Sequence, residues 1–253
     1  MNIDIRLLTP IITKGLRNLD EVRPLERDDL TISHSLLEVG PSSIESEFDE
    51  ALAAPDTIRV AIEAEDAGAN AVIIDCMGDP GINACREAVS IPVLGAGQTA
   101  MHLANMLGHR FSFVTVLDRI KPMIDKIIGS YGLSQKYASF QSIDVPVLEL
   151  AHDISALNAA LSEKAIVSIE EDGADVIILG CTGFFGCADA IRATLLKAGY
   201  DVPVIDPIPV AVHMAEALIK SGLSHSKVSS PAPSTKVISG FSLPRYVADE
   251  EGQ

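Results

Sequence analysis

The run Gly68-Ala69-Asn70-Ala71-Val72-Ile73-Ile74-Asp75-Cys76-Met77-Gly78-Asp79-Pro80-Gly81 has a second copy in the chain. Laying 65–78 over 170–183 puts Gly68 on Gly173, Ala69 on Ala174, Val72 on Ile177, Ile73 on Ile178, Cys76 on Cys181 and Gly78 on Gly183, without a gap. A continuous apolar run closed by Gly and Pro reads as a parallel strand buried on both faces. Each copy puts a cysteine at the carboxyl end of its strand, where open α/β sheets hold their ligands. The pair reads as two thiols facing one pocket. The other reading is two structural cysteines left by a duplication, because free Cys is among the most buried residue types.

Outward from the repeat, both halves show the same order. In the first, 3–8 alternates as a strand and stops at Thr9-Pro10, 17–29 is a helix or loop, and 31–37 is the next strand. Gly40-Pro41 is a turn, and Ser42 with Glu45 has capping-box spacing for a helix start. A helix is predicted over 57–67, another over 83–89, a short strand over 91–94 and a helix over 98–107. In the second half, strands at 111–116 and 137–143 alternate with helices at 120–128, 154–171 and 184–198. The strand 202–205 matches 91–94, and Pro92 to His102 repeats as Pro203 to His213. Both histidines read as packing or helix-end groups, and the acidic runs at 49–50 and 170–172 read as solvated surface. Beyond Gly222 the composition turns to Ser, Pro and Lys, and 250–253 reads as a frayed tail.

Strands alternating with helices imply parallel sheets covered on both sides. The expected fold is α/β, with two pseudo-symmetric lobes, each a mostly parallel sheet flanked by helices. The lobes are expected at 1–97 plus 209–253 and at 98–208, with the active site in the cleft between them.

The bulk numbers exclude several classes. The chain has 253 residues and is 47% hydrophobic and 21% charged, so a globular fold is expected. A net charge of −16 argues against nucleic acid, whose binding needs Lys and Arg on phosphates. No apolar run reaches the length of a membrane span, and none near Met1 has the form of an export signal. Four cysteines in such a length are no disulfide scaffold, so free thiols in a reducing cytoplasm are expected.

A thiolate can be a base, a nucleophile or a metal ligand. No compact Cys/His spacing suggests a metal. Each cysteine precedes an expected helix start, whose N–H groups would favour a thiolate or an enolate oxygen. Inverting a carbon beside a carbonyl needs a base on one face and an acid on the other, and duplicated lobes supply such a pair. Cys85 and Cys187 lack the strand-end position and read as packing.

At this point the motifs resemble a family. Gly40-Pro41-Ser42-Ser43-Ile44-Glu45, Cys76-Met77-Gly78-Asp79-Pro80-Gly81, 110–116, Asp144-Val145-Pro146-Val147-Leu148 and Leu179-Gly180-Cys181-Thr182-Gly183 are similar, in order, to segments of the hydantoin racemases of the aspartate/glutamate/hydantoin racemase superfamily. The amino-acid racemase branch has Cys-Asn-Thr after its first cysteine, where this chain has Cys76-Met77-Gly78. The resemblance implies a cofactor-independent isomerase of a small molecule, working as a homo-oligomer. It implies that Cys76 and Cys181 are its acid/base pair. It suggests Pro10, Ile11, Ser43, Ile44, Met77, Gly78, Asp79, Thr115, Thr182, Gly183 and Phe184 as substrate contacts, with N–H groups of 77–78 or 182–183 holding an enolate. One departure stands out: hydantoin and allantoin racemases carry Asn-Pro-Asn-Thr where this chain has Thr9-Pro10-Ile11-Ile12. Ile11, Met77 and Phe184-Phe185 would give the pocket an apolar side.

Three alternatives remain. Gly95-Ala96-Gly97-Gln98-Thr99-Ala100, with Asp118 further on, satisfies a dinucleotide fingerprint, although in the second βα turn of its lobe. Within the same superfamily the alternatives are an aspartate or glutamate racemase, a one-thiol decarboxylase, or a dicarboxylate isomerase with basic or amide groups for two carboxylates. The third is a catalytically silent ligand-binding protein.

Overall fold

The computed structural model describes residues 2–248, so the tail expected at 250–253 lies outside the described residues. Among the described residues, eight strands form two four-stranded sheets. The first holds β1 (Ile3–Thr9), β2 (Leu30–Leu36), β3 (Ala71–Ile74) and β4 (Val93–Gly95); the second holds β5 (Phe111–Thr115), β6 (Tyr137–Ser142), β7 (Val176–Leu179) and β8 (Val204–Ile205). All pairings within the sheets are parallel, and the orders β2-β1-β3-β4 and β6-β5-β7-β8 are the same path run twice. In each sheet the chain first moves one way, from β1 to β2 or from β5 to β6, and then the other. The reversal opens a crevice at the carboxyl ends of β1 and β3, and of β5 and β7.

The helices are the single turn α1 (Leu19–Val22), then α2 (Glu47–Asp66), α3 (Ile82–Ala88), α4 (Ala96–Leu107), α5 (Lys121–Ser130), α6 (Ile154–Glu170), α7 (Ala188–Lys197) and α8 (Pro207–Lys220). Helix α8 packs on β1, β3 and β4, while α4 packs on β5 and β7 and against α8. The repeated strands β3 and β7 are buried along their whole length. Their alternation sorts two cores: Ile3, Ile5, Leu7 and Ile73 face one side of the first sheet, and Leu8, Val72, Ile74 and Val93 the other.

Three expectations need correction. Helix α2 starts at Glu47 rather than near Thr57, and Pro55 sits inside it. Its N-cap is Ser46, whose Oγ accepts from the Asp49 amide, rather than Ser42. Asp49 in turn accepts from Ser46 Oγ and the Glu45 amide, so this acid is part of a cap and not free surface. The helix expected from residue 184 begins only at Ala188. A 3-10 turn, Thr182–Phe184, follows Cys181, and Gly186 at φ +82° breaks the path. Finally, His102 and His213 are both exposed and pack into no core, although the His102 ring lies 6.1 Å from that of Tyr131.

The stretch after α8 crosses back over the first sheet. The Val93 amide donates to His225 Nε2 at 2.8 Å, Lys227 Nζ donates to the carbonyls of Arg86 and Val89, and Tyr246 OH donates to the Ala88 carbonyl.

Candidate active site

The segments that leave β1, β3, β5 and β7 meet around one cavity of about 240 Å³. Thr9, Pro10 and Ile11 come from the end of β1, Asp75 to Gly78 from β3, Val116 from β5 and Gly180 to Gly183 from β7. Cys76 and Cys181 both line it, one from each lobe. Neither is fully buried, because each opens into this space.

The two thiols have matching local geometry. The Gly183 amide donates to Cys181 Sγ at 3.3 Å, and the Gly78 N–H is near enough to Cys76 to favour its thiolate. A Cβ at Gly183 would lie 3.3 Å from Cys181 Sγ, and one at Gly78 would lie 3.8 Å from Cys76 Sγ. The repeated glycine lets a backbone N–H turn onto the sulfur. The Gly183 amide is therefore aimed at the Cys181 sulfur. Burial pushes the Cys181 thiol up to about 11, against the pull of the Gly183 N–H and Arg17. Burial pushes Cys76 well above the usual thiol value, with only the Gly78 N–H opposing and Glu50 and Asp79 adding to the rise.

Arg17 is the side chain that sequence reading missed most clearly. Its guanidinium grips Asp75 with two bonds, Nε to Oδ2 at 2.9 Å and Nη2 to Oδ1 at 2.8 Å. Nη2 also donates to the Thr182 carbonyl across the cleft at 2.8 Å, and Nη1 lies 3.5 Å from Glu21 Oε2. The Thr182 hydroxyl donates back to the Asp75 carbonyl at 3.2 Å, so the two cysteine loops are tied to each other. The Thr9 hydroxyl gives its one proton to Asp75 Oδ2 at 2.7 Å and must accept from His34 Nε2 at 2.9 Å. Burial lowers the pKa of that imidazole, consistent with a neutral ring.

Of the other residues singled out in the sequence, Pro10, Ile11, Ile44, Met77, Gly78, Thr182 and Gly183 line the cavity. Ser43, Asp79, Thr115 and Phe184 are not among its lining residues. Thr115 donates its hydroxyl to the Gly180 carbonyl at 2.8 Å and fills the space over that glycine. Phe184 is fully buried, while its neighbour Phe185 faces the cavity with Arg17 5.5 Å from its ring centre. Cys187 lines the cavity too, whereas Cys85 is enclosed in the core of Leu8, Val72 and Ile74. The far wall is apolar, with Ile120, Met123 and Ile124 from α5 and its approach, Val147 and Leu150 from the segment before α6, and Ile154 from its first turn. Asn158 Oδ1 is buried at this wall with no partner among the described residues.

Asp79 instead caps α4. It accepts from the Gly97 amide at 2.9 Å, the Gln98 amide at 2.7 Å and Tyr131 OH at 2.8 Å. This accounts for the dinucleotide-like glycines: the helix N–H groups a pyrophosphate would use already hold a carboxylate, and a Cβ at Gly97 would sit 2.2 Å from the Met77 carbonyl. In the second lobe Asp206 caps α8 and accepts from the Gly186 amide at 2.8 Å. Burial raises both acids to about 6. Among the described residues no cluster of three His, Cys, Asp or Glu is placed to hold a metal, and no helix is long and apolar enough to cross a membrane.

A family model described as Asp/Glu/Hydantoin racemase matches residues 20–215. The chain is 36% identical over 220 residues to a hydantoin racemase of Pseudomonas sp. (strain NS671), covering 87% of this chain and 86% of that one. A hydantoin racemase of Rhizobium meliloti is 37% identical over 204 residues, covering 80% and 83%. Among solved structures, an allantoin racemase from Klebsiella pneumoniae superposes with a TM-score of 0.88 at 32% identity, covering 94% and 97%.

Proposed function

The chain belongs to the Asp/Glu/hydantoin racemase family, and from that premise we propose a racemase inverting C5 of a 5-monosubstituted hydantoin or a close cyclic ureide such as allantoin. Cys76 and Cys181 are its acid/base pair, and no cofactor takes part. The carrying observation is that two equivalent strand-end thiols, one per lobe, line one cavity.

One thiolate removes the C5 proton, and the electron pair moves into the neighbouring carbonyl. The other thiol then protonates C5 from the opposite face, and the pair exchanges roles for the reverse direction. The amides of Gly78 and Gly183 favour whichever sulfur carries the charge.

The cavity's chemistry favours a neutral ring over a free amino acid. Among the described residues Arg17 is the one cationic side chain lining it, and Asp75, the Thr182 carbonyl and Glu21 already take up four of its five N–H donors. An α-carboxylate would meet no free cation there, which weighs against aspartate, glutamate and dicarboxylates. The apolar wall suits an apolar 5-substituent better than a ureido group. Loss of optical rotation tests this across hydantoins with alkyl and aryl 5-substituents, allantoin, aspartate and glutamate. Hydantoins should racemise and the amino acids should not; the reverse order would overturn the reading.

All four cysteines are free thiols, which accords with a reducing compartment such as the cytoplasm. A homo-oligomeric working form rests on family resemblance alone, and light scattering of the purified protein tests it.

A further inference from the structure

We propose that Glu50 breaks the symmetry of the thiol pair, keeping the proton on Cys76 so that the resting enzyme presents Cys181 as base and Cys76 as acid. This rests on the two-thiol reading and adds a positioning residue to it.

The argument begins at Gly78. Glu50 Oε2 lies 3.1 Å, and Cys76 Sγ 3.8 Å, from the point where a Gly78 side chain would begin, so carboxylate and sulfur converge on one spot. Glu50 stands in the first turn of α2 and is only half-buried, so it stays in touch with solvent. Among the described residues no hydrogen bond or ion pair holds its carboxylate. Lys126 of α5, the cation that faces it, is paired with Glu47 at 3.5 Å. The other charged groups facing Glu50 are Asp79 and Glu47, both acids, and burial with those neighbours raises its pKa to about 7.

The surroundings of the two sulfurs therefore differ in sign. Cys76 faces Glu50 and Asp79, and the charged side chains that act on it most are acids. Cys181 faces Arg17, with Asp75 and Glu45 more weakly felt. Asp75 is already gripped by Arg17, and Glu45 accepts the Val147 amide at 2.8 Å. Asp79 is committed to the α4 amides and Tyr131. Glu50 is thus the acid beside Cys76 that can gain or lose a proton without breaking a cap. A negative charge on Glu50 opposes a second one on the sulfur.

The test is limiting alkylation by iodoacetamide, with peptide mapping of Cys76 and Cys181 at several pH values. Only the thiolate reacts. At pH 8 the native protein should label Cys181 several-fold faster than Cys76. In Glu50→Gln, Cys76 labelling should rise by about tenfold, equivalent to one unit of thiol acidity, with Cys181 unchanged. At pH 6, where Glu50 is mostly neutral, the two proteins should converge. Glu50→Asp keeps the charge and should keep Cys76 slow, which separates charge from packing. Faster labelling of Cys76 in the native protein, or an unchanged ratio in Glu50→Gln, would overturn the proposal. Labelling order reports ionisation and not turnover, so it stands apart from any failure of the racemase reading.

Discussion

The carboxylate of Asp79 occupies the space that a side chain on Gly95 would need: a Cβ built at Gly95 would lie 2.2 Å from Asp79 Cγ. In the second lobe the acid sits on the other partner. Asp206 stands at the position matching Gly95, and it accepts from Gly186 in the loop after Cys181. The two lobes cap equivalent helices, α4 and α8, with a carboxylate delivered from opposite ends of the contact.

That exchange makes a double-mutant prediction. Gly95→Asp alone crowds Asp79 and should cost about 1–3 kcal/mol. Asp79→Gly alone removes the cap and should cost about 1–2 kcal/mol. Combining them rebuilds the arrangement of the second lobe. The double variant should be more stable than the sum of the singles by at least about 1 kcal/mol, read from urea unfolding. Simple additivity would show that the two sites do not share the space.

Arg17 should be worth more to stability than any exposed ion pair. Arg17→Met leaves Asp75 buried without its cation and should cost about 3–5 kcal/mol. Arg17→Lys keeps the charge but loses the two-pronged grip, so it should fall between. Urea midpoints at constant slope measure both. If Arg17→Met unfolded at the native midpoint, the pair would not be anchoring the cysteine loops.

The pH profile follows from the thiols. The base must be ionised, and Cys181, the lower of the two, is pushed up to about 11. The acid must stay protonated, and Cys76 lies well above the usual thiol value. The value of kcat/KM should therefore climb by about tenfold per pH unit from neutrality towards 10, with no falling limb in that range. A bell centred near pH 7 would mean that bound substrate or another group sets the ionisation.

The apolar wall predicts a substituent preference. Each methylene placed against such a wall is worth roughly 1–3 kcal/mol in discrimination. An isobutyl group at C5 should raise kcat/KM over a methyl group by at least about tenfold. Equal values for the two substrates would place the substituent away from Ile124 and Leu150.

The cysteine pair and the sheet path were legible because both are local and repeated. Residues 65–78 and 170–183 align without a gap, and a fully buried strand needs an unbroken apolar run. Arg17 was not legible, because its partners Asp75 and Thr182 are 58 and 165 positions away. Glu50 looked like surface because it lies in an acidic run, and only the fold brings Gly78 against it. The glycines at 95 and 97 gave a false dinucleotide signal for a sound reason: they do admit a carboxylate and a carbonyl at a helix start, but both come from the chain itself. Phe184 and Phe185 could not be told apart until the break at Gly186 fixed which one turned inward.

The most direct measurement is to follow each enantiomer of a racemising hydantoin in deuterium oxide with Cys76→Ser and Cys181→Ser. Each variant should lose racemisation while still exchanging the C5 proton of one enantiomer, and the exchanged enantiomer should differ between the two. Racemisation by Cys76→Ser at the native rate would contradict the two-thiol mechanism.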